Sequence, residues 1–408
     1  MTEEGVRERT DLGPYGRGTL PAGIRSRVRA GVNGLDVHFL EAGFETPGRP
    51  VLLLLHGFPE LAYSWRKVMT PLAQAGYHII APDVRGYGRT TGWDAAYEAD
   101  PVPFRSLNLV RDALALVFAL GHRTVDGVIG HDAGAPIAAW CALARPDVFR
   151  SAAIMSAPFP GPPGLPFDVE HTQPTVRPPG VNSVEVDRAL GALDPPRKHY
   201  LRWYTTPGAN ADMMQAPQGL GDFIRAYYHY KSADWAGNRP HRLASAAPAE
   251  LAKMPTYYIM ERALGMAATV APFMPTPVEI ADCRWLTDLE LAVYAEEYGR
   301  TGFQGGLQTY MRTLNPAADP EPLTFAGRTI DVPACFISGA SDWGTWQGPG
   351  AIEAMAERVC TDFRGVHLVE GAGHWVQQEQ PDAVVDLVLR FLRDARQPAA
   401  PVQSRRPV

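Results

Sequence analysis

Cysteine is scarce in this chain: Cys141, Cys283, Cys335 and Cys360 are the only four in 408 residues. They lie far apart and form no Cys-x-x-Cys pair, which argues against a disulfide framework or a zinc site and fits reduced thiols in the cytoplasm. Long apolar runs are missing too. None approaches the ~20 residues that a bilayer span requires. The opening Met1-Thr2-Glu3-Glu4-Gly5-Val6-Arg7 lacks the apolar centre of a signal peptide. Positive charge is in deficit: the net charge is −6 with no basic face, which argues against a nucleic-acid partner. No internal repeat is visible. What these absences leave is a cytoplasmic protein, monomer or homodimer, away from membrane and nucleic acid.

The chain is long for one plain domain, and its 46% hydrophobic content is ample for a large core. Residues 1–23 are charged and rich in glycine and proline and read as an arm over the surface. Residues 397–408 form a polar, proline-rich tail of disordered composition. Between them, β-type runs alternate with helical patterns. The runs are Leu35–Leu40, Val51–Leu55, His78–Ala81, Val125–Ile129, Ala152–Met155, Ala334–Ile337 and Val366–Val369. Helical periodicity marks Ser106–Leu120, Ala135–Ala144, Ala351–Arg358 and Pro381–Arg393. Such alternation predicts a parallel sheet covered on both faces. It breaks over 159–323, a helical stretch rich in tyrosine and tryptophan. A block inserted between two strands of one sheet is a cap, so 24–158 and 324–396 form one core.

In an open α/β sheet, ligands sit beyond the carboxyl ends of the strands. Three residues fall there. Asp132 lies in Gly130-His131-Asp132-Ala133-Gly134, Asp342 follows the run at Cys335, and His374 ends Gly371-Ala372-Gly373-His374. An aspartate after a strand is commonly a helix cap, but three such residues in the order nucleophile, acid, histidine match the α/β-hydrolase fold. The expected architecture is therefore a mostly parallel eight-stranded sheet with an inserted helical cap. The elbow lacks the serine of an esterase. An aspartate there attacks a saturated carbon and leaves an ester on the enzyme. His56-Gly57-Phe58-Pro59 follows the strongest apolar run, so the backbone N–H groups of Phe58 and Ala133 form the expected oxyanion hole. A cis bond before Pro59 would fix that loop. His131 and His56 read as local braces, and Cys141 as core.

His56-Gly57-Phe58-Pro59-Glu60, Tyr63-Ser64-Trp65-Arg66, Asp83-Val84-Arg85-Gly86-Tyr87-Gly88, Gly130-His131-Asp132, Ser341-Asp342-Trp343 and Gly371-Ala372-Gly373-His374-Trp375 together resemble the epoxide hydrolases of the α/β-hydrolase fold. The resemblance spans roughly 25–392. It implies two cap tyrosines that acidify the epoxide oxygen: Tyr200, placed by its distance from Pro207-Gly208, and Tyr310, in Gly305-Gly306-Leu307-Gln308-Thr309-Tyr310. It implies Asp132 as nucleophile, His374 as base and Asp342 as its orienting acid, with no metal or cofactor. Trp65, Thr309, Trp343 and Trp375 are the expected pocket lining. The chain departs from the family pattern at two positions. Ala133 stands where a bulky aromatic is common and Thr309 where tryptophan is frequent, which together favour a roomier pocket. A haloalkane or haloacid dehalogenase shares the aspartate, base and acid, but it needs tryptophan or arginine where Ala133 stands. A non-catalytic ligand binder on this fold is the other alternative, and the complete set of site residues argues against it.

Overall fold

The apolar run Val51–Leu55 becomes a strand buried along its whole length, with sheet on both sides and helices over both faces. A computed structural model describes residues 5–8, 11–165, 183–314 and 319–397. Among the described residues the eleven strands are β1 (Val6–Arg7), β2 (Ile24–Val32), β3 (Leu35–Ala42), β4 (Val51–Leu55), β5 (His78–Pro82), β6 (Gly127–His131), β7 (Ala152–Met155), β8 (Arg197–His199), β9 (Ile259–Glu261), β10 (Ala334–Gly339) and β11 (Phe363–Val369). Nine form one sheet in the order β1-β2-β3-β5-β4-β6-β7-β10-β11. From β5 to β11 every pairing is parallel, and β1, β2 and β3 join antiparallel at one edge. This is the α/β-hydrolase fold. A substitution such as Leu53→Ala in the sealed centre would cost about 2–5 kcal/mol.

The sheet has nine strands where eight were expected. The extra one is Val6–Arg7, which pairs with Arg29 and Val28 of β2. Of the expected arm, the described residues Val6–Arg7 thus pair with the sheet. Tyr15 is buried against His38 and Tyr63, and Arg17 pairs with Glu296 at 2.7 Å. The run expected at Val125–Ile129 is displaced by two residues. Val125 makes only an isolated bridge to Phe149, and the strand proper runs from Gly127 to His131, up to the elbow. The expected tail lies outside the described residues beyond Gln397.

Between β7 and β10 the described chain is mainly helical, but β8 and β9 pair there as a short antiparallel ribbon. Thr287 caps the Asp288–Thr301 helix reciprocally with Glu290, which fixes where that helix begins. Tyrosines from this block reach the loop after β4: Tyr228 donates to the Pro59 carbonyl at 2.8 Å and Tyr298 to that of Glu60 at 2.9 Å. A closer seam lies at Gly305. A Cβ built there would sit 2.1 Å from the Gly86 carbonyl oxygen, so the Gln304–Leu314 helix touches the loop after β5 backbone to backbone.

Candidate active site

The site is assembled at the carboxyl ends of β4, β6, β10 and β11. The elbow follows β6. Asp132 has φ of 50°, in the left-handed region that aspartate tolerates better than most residues. Gly130 and Gly134 make room for the turn. A Cβ at Gly130 would lie 2.2 Å from the Gly134 carbonyl oxygen, and one at Gly134 would lie 2.3 Å from that of Leu55. The helix that follows, Gly134–Ala144, is almost entirely apolar and buried, and Cys141 lies within it. That packing holds the elbow in place.

Asp132 Oδ1 accepts the Phe58 N–H at 2.9 Å, and Oδ2 lies 3.3 Å from His374 Nε2 without hydrogen-bond alignment. His374 Nδ1 faces Asp342 Oδ1 at 3.1 Å. Asp342 also accepts from the Gly344 N–H at 2.7 Å and the Ser338 hydroxyl at 3.0 Å, which aims its carboxylate. Burial pushes the Asp132 carboxyl upward, but His374, Lys231 and His131 outweigh it and hold the group below the usual carboxylate range. Asp342 is lowered in the same way: burial opposes ionisation, and His374, the Gly344 amide and Lys231 overcome it. Both carboxylates are thus ionised and buried, one on each side of the imidazole.

Behind this chain lies a second buried pair. His131 Nδ1 bonds Glu60 Oε2 at 2.5 Å, and its Nε2 faces the His374 carbonyl at 2.7 Å. Glu60 also accepts the Gly57 N–H at 3.0 Å and the Gln377 amide at 2.8 Å. The network binds the loop after β4, the elbow and the histidine loop into one unit. His56 braces the same loop, its Nδ1 against the Gly57 carbonyl at 2.9 Å and its Nε2 accepting the Val84 N–H at 3.1 Å. The Phe58–Pro59 bond is cis.

Facing the sheet is a tyrosine cluster. Tyr200 begins the Tyr200–Tyr204 helix and Tyr310 lies on Gln304–Leu314, with ring centroids 6.5 Å apart. The edge of Tyr310 meets Phe58 at 5.6 Å and 89°. Burial, then the charge of Asp132, pushes both phenols well above 10, so both stay protonated at neutral pH. The Tyr200 hydroxyl rests on Gln347 Oε1 at 3.3 Å. A third ring, Tyr204, packs within 5.3 Å of Tyr200 and 5.4 Å of Tyr310, and its hydroxyl pairs with that of Tyr227 at 3.0 Å.

Residues 50–178 match the family model described as the alpha/beta hydrolase fold. Epoxide hydrolase A of Mycobacterium tuberculosis is 33% identical over 370 residues, covering 88% of this chain and 95% of that protein. Epoxide hydrolase B of the same organism is 32% identical over 358 residues, covering 85% and 92%. The chain belongs to the epoxide hydrolase family. Among solved structures, an epoxide hydrolase from an endophytic Streptomyces superposes with a TM-score of 0.70 at 31% identity, covering 92% of this chain and 97% of that one. Potato (Solanum tuberosum) epoxide hydrolase I gives 0.66 at 29% identity, covering 91% and 99%.

Within this family member the expected lining residues occupy different environments. Trp375 is fully buried, stacked 4.0 Å from Tyr228 and donating its N–H to the Tyr228 carbonyl, a packing role. Trp343 is buried beside Asp342 with its ring edge on His241. Trp65 is buried ahead of the Arg66–Gln74 helix, and Thr309 is buried one residue before Tyr310. Ala133 is partly buried at the cap position of the elbow helix. Sequence reasoning missed Tyr204, Tyr227, Lys231 and Gln347. Two of these carried a signal: Tyr204 is four residues after Tyr200, and Lys231 four after Tyr227, the spacing of one helix face. Among the described residues no helix is long and apolar enough to cross a membrane, and no cluster of three or more His, Cys, Asp or Glu is placed to hold a metal ion.

Proposed function

We propose that this protein hydrolyses epoxides to vicinal diols through an ester on Asp132. The observation that carries the reading is the ionised Asp132 carboxylate, held at the elbow between the Phe58 amide and His374 and facing protonated tyrosines. Asp132 attacks one oxirane carbon from the side opposite the departing oxygen. An alkoxide is a poor leaving group, so Tyr200 and Tyr310 both hydrogen-bond that oxygen and one of them gives it a proton as the C–O bond breaks. The product is a hydroxyalkyl ester of Asp132.

In the second half, His374, oriented by Asp342, takes a proton from water, and the hydroxide attacks the ester carbonyl. The carbonyl oxygen becomes an oxyanion beside the amides of Phe58 and Ala133. Collapse breaks the ester C–O bond, the departing alkoxide takes the proton of the Asp132 acid to give the diol and the carboxylate, and the proton held by His374 returns to the tyrosine phenolate. The small side chains at Ala133 and Thr309 favour larger or more branched epoxides. Residues 24–158 and 324–396 act as core, 159–323 as cap, with residues 1–23 as an arm. The free thiols suit a reducing cytoplasm.

Single turnover in heavy-oxygen water tests the mechanism. The label enters the Asp132 carboxylate, found in the proteolytic peptide that contains it. His374→Gln should accumulate the ester, seen as a mass increase equal to the substrate. Label confined to the diol on the first turnover would overturn the covalent route.

A further inference from the structure

Lys231 is the last residue of the Leu220–Lys231 helix, a position from which a lysine ordinarily reaches into solvent. Here it is 3% exposed. Its ammonium lies over the rings of Tyr258 at 5.0 Å, Tyr227 at 5.4 Å, Trp375 at 5.6 Å and Tyr257 at 5.7 Å. It hydrogen-bonds the Tyr227 phenol and forms no salt bridge among the described residues, and a hydroxyl and ring faces compensate a buried charge less well than a carboxylate would. Its backbone carbonyl accepts the His374 N–H at 3.0 Å, so the residue is fastened directly to the histidine loop. The two carboxylates on which its charge acts are Asp132 and Asp342, and both flank that histidine.

We propose that Lys231 is the built-in counter-charge of this site, a positioning residue that acts through His374 and keeps its imidazole neutral for water activation. Two carboxylates beside one imidazole both favour imidazolium, which cannot accept a proton. Lys231 supplies the opposing bias. The need persists after alkylation: Asp132 is then a neutral ester, and Asp342 and Lys231 remain as one opposed pair around the imidazole.

The other ionisable groups around His374 do not take over this part. The elbow contributes His131, bonded to Glu60, and the segment before β9 contributes the phenols of Tyr257 and Tyr258. The helix bearing Lys231 contributes Tyr227, and Tyr200 faces Asp132 and Asp342 from across the site. Behind the histidine loop, Glu379 accepts the N–H groups of Gly373, Trp375 and Ala233, with Asp234 nearby. His131 has its counter-ion in Glu60, whereas Lys231 has no carboxylate bonded to it among the described residues.

The inference rests on the functional reading above, and its test separates the two. Ester hydrolysis is followed in single turnovers against pH for the full chain and for Lys231→Met, Lys231→Gln and Lys231→Arg. Loss of the charge should move the acid limb up by about one pH unit, a roughly tenfold slowing just below the wild-type limb. Arginine should restore the limb. If the Met variant fails to fold, the Gln and Arg variants carry the same contrast. The His374 imidazole, titrated by NMR in the resting protein, must move in the same direction whether or not an epoxide is turned over. An inactive wild type would count against the function alone. An unmoved limb and unmoved imidazole in folded Met or Gln variants would overturn the role of Lys231, as would an Arg variant that behaves like Met.

Discussion

Replacing Gly305 with alanine tests whether the cap sets the position of an acid that attacks nothing itself. A Cβ there would stand 2.1 Å from the Gly86 carbonyl oxygen and 2.6 Å from the Gly86 Cα. Both obstacles are backbone, so no side chain can rotate away. Gly86 has φ of 93°, which confines its own loop. Real Cβ contacts below 3.0 Å are essentially unseen. The Gln304–Leu314 helix must therefore retreat by about an ångström, taking Tyr310 with it, since a helix moves nearly as a unit. Misplacing a reacting group by ~1 Å costs on the order of 100-fold, or about 2.7 kcal/mol of barrier. Stopped-flow fluorescence of ester formation in single turnover measures this. Gly221→Ala is the control: nothing lies within 4 Å of that Cβ, and alanine in the Leu220–Lys231 helix should leave the rate unchanged and add about 0.5 kcal/mol of stability. A folded Gly305→Ala protein that forms ester within about twofold of wild type would refute the reasoning.

Two further expectations concern pH. Burial and Asp132 raise Tyr200 and Tyr310 well above 10, and an acid is lost only as pH rises through its own pKa, so ester formation should stay level up to about pH 10; a decline centred below pH 9 in a rapid-mixing profile would contradict this. Burial also pushes the Glu379 carboxyl up to about 8 against three amide donors that favour its ionised form. The fold then prefers the protonated acid, and its unfavourable contribution grows as pH climbs from about 4.5, where an unfolded glutamate ionises, to about 8. Glu379→Gln should raise the melting temperature relative to wild type at pH 9 and not at pH 4; equal differences at both would show that the carboxyl does not titrate this way.

The elbow, the loop at His56–Pro59 and the strand-end positions of Asp342 and His374 were legible because each is a short pattern fixed by local backbone demands: glycines where no Cβ fits, polar residues at strand ends. Tyr200 and Tyr310 required a family spacing, since fifteen tyrosines gave composition no means of choosing. The strand Ile24–Val32 escaped notice although its residues alternate. Arg25, Arg27 and Arg29 occupy alternate positions along it and leave it without an apolar run. The pairs Arg197–His199 and Ile259–Glu261 are three residues each, too short for any periodicity to register. Lys231 belongs to no motif visible in the sequence. Its burial depends on Trp375, Tyr257 and Tyr258, which are remote in sequence, and pairings of that range leave no local trace.

The bonds from Tyr228 and Tyr298 to the carbonyls of Pro59 and Glu60 have a consequence for how the protein can change. In the proposed mechanism, the peptide N–H that steadies the oxyanion belongs to Phe58, immediately before those carbonyls. On that mechanism, the helical block that would deliver protons to the epoxide also sets the height of the loop that would serve the ester. Opening the epoxide and discharging the ester would then turn about one fulcrum. A drift in the block's position, selected to admit a new substrate, retunes the second half of the cycle along with the first. Substrate range in this protein is thus best altered from within, at side chains such as Ala133 and Thr309, which can change volume while the fulcrum stays where it is.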